Sequence, residues 1–175
     1  ECQGRKRYLY NGGGCVPAFA FWPNVIQPGA TTEQPLCTLD YLPTIASLLD
    51  FQIPDDRPLD GTDIRPVLKG EDWTRDKLIP FASNMQRNSP SASIINEEHK
   101  LLLWFDPLKE DELYDLQNDP GETTNLIDQK PELAEKLNQE LSDWFNSAHN
   151  SYENGDYPGY EKQGVFLREY EKDQP

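Results

Sequence analysis

Proline and glycine punctuate this chain so densely, with 15 and 11 among 175 residues, that its regular structure must come in short pieces joined by turns. Trp, Leu, Ile, Val and Phe recur throughout, enough to build a core. The length suits one domain, or one domain plus part of another. No run of about 18 apolar residues occurs, so no membrane-spanning helix is expected. The opening stretch, with Arg5, Lys6 and Arg7, has no apolar region behind it and is not a signal peptide. It opens directly on a motif, so the chain reads as a fragment of something longer.

The pieces can be placed. Residues 16–22 are apolar and closed by Pro23, a pattern that suits a buried strand. Asp40 can cap a helix running to Leu49, with Pro43 tolerated in its first turn and Leu42, Ile45, Ala46 and Leu49 as its apolar stripe. A short helical or irregular segment, 64–68, stops at Gly70. From Lys77 onward the pattern changes. Residues 78–81 suit a strand. Ile94 with Ile95, and residues 100–105, flank Asn96, Glu97 and Glu98 and suggest a hairpin. Residues 112–116 suit another strand, ended by the turn signal Asn118, Asp119, Pro120, Gly121. Pro131 is well placed as the first residue of a helix whose Leu133, Leu137, Leu141, Trp144 and Phe145 share one face. A small antiparallel sheet with one amphipathic helix across it is therefore expected. The tail from Asn146 has no clear period and is expected to wrap the surface or stay irregular.

Acidic residues outnumber basic ones by 31 to 16, a net charge of −15, which argues against a nucleic-acid or anionic-membrane partner. The cations of Arg5, Lys6 and Arg7 stand out against that background. Three cysteines, Cys2, Cys15 and Cys37, allow one disulfide in any of three pairings. His99 and His149 are isolated from each other and from any Cys pair, so a zinc site is not expected.

Seven pieces, in order, resemble the sulfatases. Lys6 stands four residues before Tyr10, followed by Asn11, Gly12 and Gly13, where the family has Glu-Gly-Gly after the tyrosine. Val16-Pro17, Phe21-Trp22-Pro23 and Ile26 with Pro28-Gly29 follow. Next come Leu39-Asp40 with Leu42-Pro43-Thr44-Ile45, then Leu59-Asp60-Gly61-Thr62-Asp63-Ile64 with Pro66-Val67-Leu68. His99-Lys100-Leu101 is similar to a Tyr/Trp-Lys-Leu strand. The most specific match is Glu112-Leu113-Tyr114-Asp115-Leu116, then Asn118-Asp119-Pro120-Gly121-Glu122 and Asn125-Leu126.

The resemblance implies an α+β fragment. Residues 1–76 would be the end of an alkaline-phosphatase-like α/β catalytic domain. Residues 77–145 would be a C-terminal antiparallel-sheet subdomain with one packed helix, and 146–175 a tail. It implies hydrolysis of sulfate esters by a formylglycine nucleophile with a calcium ion, both expected upstream and not from this chain, and a periplasmic or secreted location. Partners would be the upstream half and a sulfated small molecule or carbohydrate, with no nucleic acid and no membrane. Lys6 matches the family lysine that reaches the sulfate, where a fixed cation stabilises charge on the leaving oxygen. In the loop of residues 84–88, Arg87 is a candidate substrate contact. Trp73 and Trp104 could stack on a sugar, but such a residue is more often part of a core or rim.

The pattern also departs from the family. Cys15 begins a near-match to the formylglycine signature, but Phe19 stands where Arg is required, so Cys15 is not read as a nucleophile. Asn11 replaces the usual Glu, and Gly14-Cys15 the usual Ile/Val-Arg, which would remove one ion pair. The chain by itself is therefore expected to be inactive. Two alternatives stand beside the sulfatase reading: a hydrolase of the same superfamily acting on phosphate or phosphonate esters, and a non-catalytic fragment.

Overall fold

The computed structural model describes residues 2–83, 89–153 and 155–156. Its centre is a four-stranded antiparallel meander, order β1-β2-β3-β4, made of Ile79–Ala82, Ala92–Ile95, His99–Leu103 and Glu112–Asp115. The register pairs Ile94 with Leu101 and Leu101 with Leu113, so these side chains line one face. β1 lies at the edge, which is where Pro80 can be accommodated without losing a ladder hydrogen bond. The β2–β3 hairpin forms where the sequence places it. Asn96 Oδ1 accepts the amides of Glu98 and His99 at 2.8 and 2.6 Å, a side-chain turn that fixes the reversal.

The long helix α4, Pro131–Tyr152, crosses one face of the sheet. Ala134, Leu137 and Leu141 are buried against Ala92, Ile94, Leu101 and Leu113, with Leu133, Trp144 and Phe145 packed at the margin. Each fully buried Leu contributes roughly 1.5–3 kcal/mol, which is why this face organises the sheet. The helix continues to Tyr152, past the position where the apolar stripe fades at Phe145. The expectation of an irregular chain from Asn146 is corrected to that extent.

The opposite face of the sheet is covered too. Leu102 and Tyr114 pack there with Tyr10, and with Tyr8, Leu9 and Leu116 around them. Burial on both faces explains why Leu101, Leu102 and Leu103 of β3 follow one another instead of alternating with polar residues.

Two expectations for the first half are overturned. Residues 16–22 form no strand; they run as an irregular segment with Val16, Phe19 and Phe21 exposed at 77, 96 and 92%. An apolar strand needs neighbours to satisfy its backbone, and among the described residues none lies alongside. The helix after Asp40, α2 (Tyr41–Leu48), does form, behind a 3₁₀ turn at Thr38–Asp40. Its buried residues are Thr44 and Ala46, whereas Leu42, Ile45 and Leu49 point outward. The Asp40 carboxylate does not cap α2 either, because it is committed elsewhere. The short helix α3, Arg65–Lys69, ends on Gly70 with φ of 73°, a left-handed cap that glycine adopts without cost.

Candidate functional site

The Lys6 segment is a closed loop laid against the sheet face opposite α4. Tyr8 N donates to Arg5 O at 2.9 Å, making a turn with Lys6 and Arg7 at its two central positions. Gly12 N donates to Gln3 O at 2.7 Å and closes the loop at its base. A Cβ at Gly13 would overlap the carbonyls of Arg5 and Tyr8, so this position has room only for glycine. The short helix α1, Asn11–Gly14, follows directly. Arg5, Lys6 and Arg7 are all exposed at the loop tip. Arg5 lies over the Tyr8 ring at 5.7 Å, while among the described residues the Lys6 ammonium makes no hydrogen bond or ion pair.

Arg7 has φ of 80°, the left-handed conformation that a type II turn demands at this position and that favours glycine. Arg7→Gly should therefore stabilise the chain by about 1 kcal/mol, the left-handed cost removed less the extra glycine entropy. The urea midpoint measures it; a midpoint that falls would show that the arginine side chain, not its backbone, governs the turn.

Two buried charge clusters hold this loop and the segment after it. In the first, Lys100 from β3 reaches Glu122 Oε1 at 2.7 Å, Asn11 Oδ1 at 2.7 Å and Leu9 O at 3.1 Å. Glu122 Oε2 accepts the Asn11 amide at 2.6 Å, and Asn11 Nδ2 donates to Pro120 O at 3.0 Å. Both charged side chains are essentially sealed from solvent, at 2 and 0% exposure. Asn11, the departure from the family's Glu, is thus used fully, as donor and acceptor. Beside this cluster, Glu112 gathers three donors: the hydroxyls of Tyr10 and Tyr114 and Trp104 Nε1, each within 2.9 Å. Burial, then the Glu112 carboxylate, pushes both phenols above the ordinary tyrosine range, so both stay protonated donors. Trp104 is a rim residue, its edge on Glu112 and its face under Lys109.

In the second cluster, Arg75 meets Asp40 in a two-pronged pair at 2.7 and 3.0 Å, with both side chains buried. The Asp40 carboxylate also accepts the amides of Cys37 and Thr62. Burial by itself would raise the Asp40 pKa; the Arg75 guanidinium and those two amides outweigh it and hold the carboxyl below its usual range. Thr44 Oγ1 donates to Asp40 O and accepts Ile64 N, and a Cβ at Gly61 would overlap the Leu39 carbonyl. The motif pieces around Asp40, Thr44, Gly61 and Thr62 are therefore one joint, locked by an arginine that no motif marked.

The turn motif of residues 118–126 is also structural. Asp119 Oδ2 accepts the amides of Thr123 and Thr124, and Asn125 Oδ1 accepts those of Leu113 and Ile127. His99 is buried, with its Nε2 at 2.7 Å from Lys130 Nζ. Burial, then the lysine, holds it below the ordinary histidine value. All three cysteines are free thiols, so none of the three possible disulfides forms. Arg87 lies outside the described residues. Among the described residues no three His, Cys, Asp or Glu side chains converge, so they do not fit a calcium cage. An open recess of about 240 Å³ between Leu59, Lys77, Ile94 and Trp144 lies on the α4 side of the sheet, away from the Lys6 loop.

The family model for the C-terminal part of N-sulphoglucosamine sulphohydrolase matches residues 4–148, from the base of the Lys6 loop into α4. The chain belongs to the sulfatases, as one of their C-terminal regions. It is 35% identical over 159 residues to a sulfatase of Formosa agariphila, covering 81% of this chain and 29% of that protein. A solved structure from the metabolism of multiple glycosaminoglycans by Bacteroides thetaiotaomicron superposes with a TM-score of 0.65 and 25% identity, covering 81% of this chain and 31% of that one. The structure of Ps i-CgsB in complex with k-i-k-neocarrahexaose has a TM-score of 0.60 and 25% identity, covering 70% and 27%. This sulfatase region thus spans under a third of the length of these relatives.

Proposed function

We propose that this chain is the C-terminal segment of an enzyme that hydrolyses sulfate esters of a carbohydrate, and that Lys6 is its contribution to the chemistry. The observation that carries the reading is the Lys6 loop itself. Its glycine-closed base and buried ion-pair anchor hold an exposed lysine at the tip of a turn, inside the segment that the sulfatase family model covers. Breaking a sulfate ester puts negative charge on the leaving oxygen, and a fixed ammonium there stabilises it. The nucleophile and the calcium ion belong to an upstream portion, which would cover the apolar groups left exposed on residues 16–21 and on α2. Residues 1–76 would then complete the catalytic domain and 77–145 form its C-terminal subdomain. Sulfated carbohydrate as substrate is supported by the glycosaminoglycan and neocarrahexaose contexts of the similar structures.

Sulfate release from a sulfated oligosaccharide by the complete enzyme tests this, beside the same sugar carrying a phosphate ester. Sulfate release is expected, with the 175-residue chain by itself inactive whether or not calcium is added. Preferential phosphate release would place the enzyme with phosphate-ester hydrolases of the superfamily. Turnover by the isolated chain would move the nucleophile into it.

A further inference from the structure

We propose that Glu122, acting through Lys100 and Asn11, is a positioning residue for Lys6; this rests on the reading of Lys6 as the sulfate contact. The geometry of the pair is aimed at backbone. Glu122 uses one carboxylate oxygen for the Asn11 amide and the other for Lys100, whose ammonium in turn takes the Leu9 carbonyl and the Asn11 side chain. One buried ion pair thereby fixes residues 9 and 11, which form the returning limb of the loop whose tip carries Lys6. Tyr10 between them is fastened separately through its hydroxyl to Glu112. Among the described residues the outgoing limb is held by hydrogen bonds to the returning one, Gly12 N to Gln3 O and Tyr8 N to Arg5 O. The returning limb is tethered as well by Asn11 Nδ2 to Pro120 O at 3.0 Å and by Leu9 N to Ser89 Oγ, a longer bond at 3.3 Å.

The position of Glu122 shows that its placement is specific. Its φ is 58°, a left-handed backbone that a non-glycine residue adopts at a cost, and its residue exposure is 1%. The Asp119 turn and the Asn118-Asp119-Pro120-Gly121 reversal hold it there. Burying two charges is not an efficient way to stabilise a sheet face, because well-packed apolar residues of similar volume do as well or better. What apolar residues cannot do is accept an amide and donate to a carbonyl of the loop. The pair therefore separates packing from positioning, and so does its replacement.

The double variant Lys100→Met, Glu122→Met keeps the volume and removes the polar grip. In the complete enzyme, hydrogen exchange at the amides of Tyr8, Asn11 and Gly12 should accelerate about tenfold or more, while the amides of Leu137 and Leu141 in α4 keep their protection. With a sulfate ester, kcat should fall roughly tenfold or more with KM within about threefold, the signature of a misplaced transition-state contact. Glu122→Gln, which keeps the shape and one acceptor, should lie between and serves if the double variant does not fold. Unchanged exchange at residues 8–12, or equal acceleration there and in α4, overturns the positioning role. An inactive parent enzyme overturns the Lys6 reading instead, and the exchange data by themselves then decide whether the pair holds the loop.

Discussion

Lys6→Ala in the complete enzyme should lower kcat by about 10²–10³, equivalent to roughly 2.7–4 kcal/mol, with far less change in KM. The expectation follows from the proposed role. A preorganised cation is strongest where charge develops, so its loss is felt in the transition state more than in substrate binding. Lys6→Arg should rescue only part of the rate, because a planar guanidinium does not reproduce a compact ammonium. The neighbours are the controls: Arg5 is spread over the Tyr8 ring and Arg7 supplies a backbone conformation, so alanine at either should have small effects on kcat. A folded Lys6→Ala enzyme within about threefold of the parent in kcat/KM would return Lys6 to being one of three surface cations.

The largest loss of stability should come from Arg75→Met. It leaves the Asp40 carboxylate buried with two amides and no counter-charge, at a cost of roughly 3–5 kcal/mol. Asp40→Ala should cost a similar amount by stranding the guanidinium. Replacing both partners by apolar residues should recover much of the loss, because no buried charge then remains unpaired. Urea unfolding of the 175-residue chain reads all three, and a loss under about 1 kcal/mol for Arg75→Met would show the pair to be solvated in solution. The pH dependence carries a definite sign. The folded Asp40 pKa is depressed, so its contribution is fully present above the unfolded value of about 3.9 and is lost as pH falls through the lower folded value. The parent's contribution should accordingly fade below about pH 4, and its advantage over Arg75→Met narrows as pH falls.

Local chemistry made part of this protein legible as a string of residues. Pro131 and the spacing of Leu133, Leu137 and Leu141 announce α4, and Gly70 announces the end of α3. Asn96 marks the β2–β3 reversal, and the turn signal at 118–121 marks the end of β4. Each signal acts within one segment, through periodicity, capping or turn geometry, so it survives without knowledge of the rest of the chain. The family resemblance was legible on the same terms, because it is carried by short ordered motifs.

Tertiary structure decided what those motifs are for. Residues 16–22 have the composition of a strand, but composition supplies no neighbour to hydrogen-bond with, and the segment stays irregular. The α2 stripe fixes a helix but not which face is covered, and here Leu42, Ile45 and Leu49 face outward. Asp40 reads as a helix cap, yet its carboxylate is claimed by an arginine 35 residues on. Glu122 reads as part of a turn, yet it grips the Asn11 amide across 111 residues. A buried charge must find a partner wherever the chain path brings one. That path is a property of the assembled sheet, with α4 on one face and the Lys6 loop on the other, and no local pattern in the sequence encodes it.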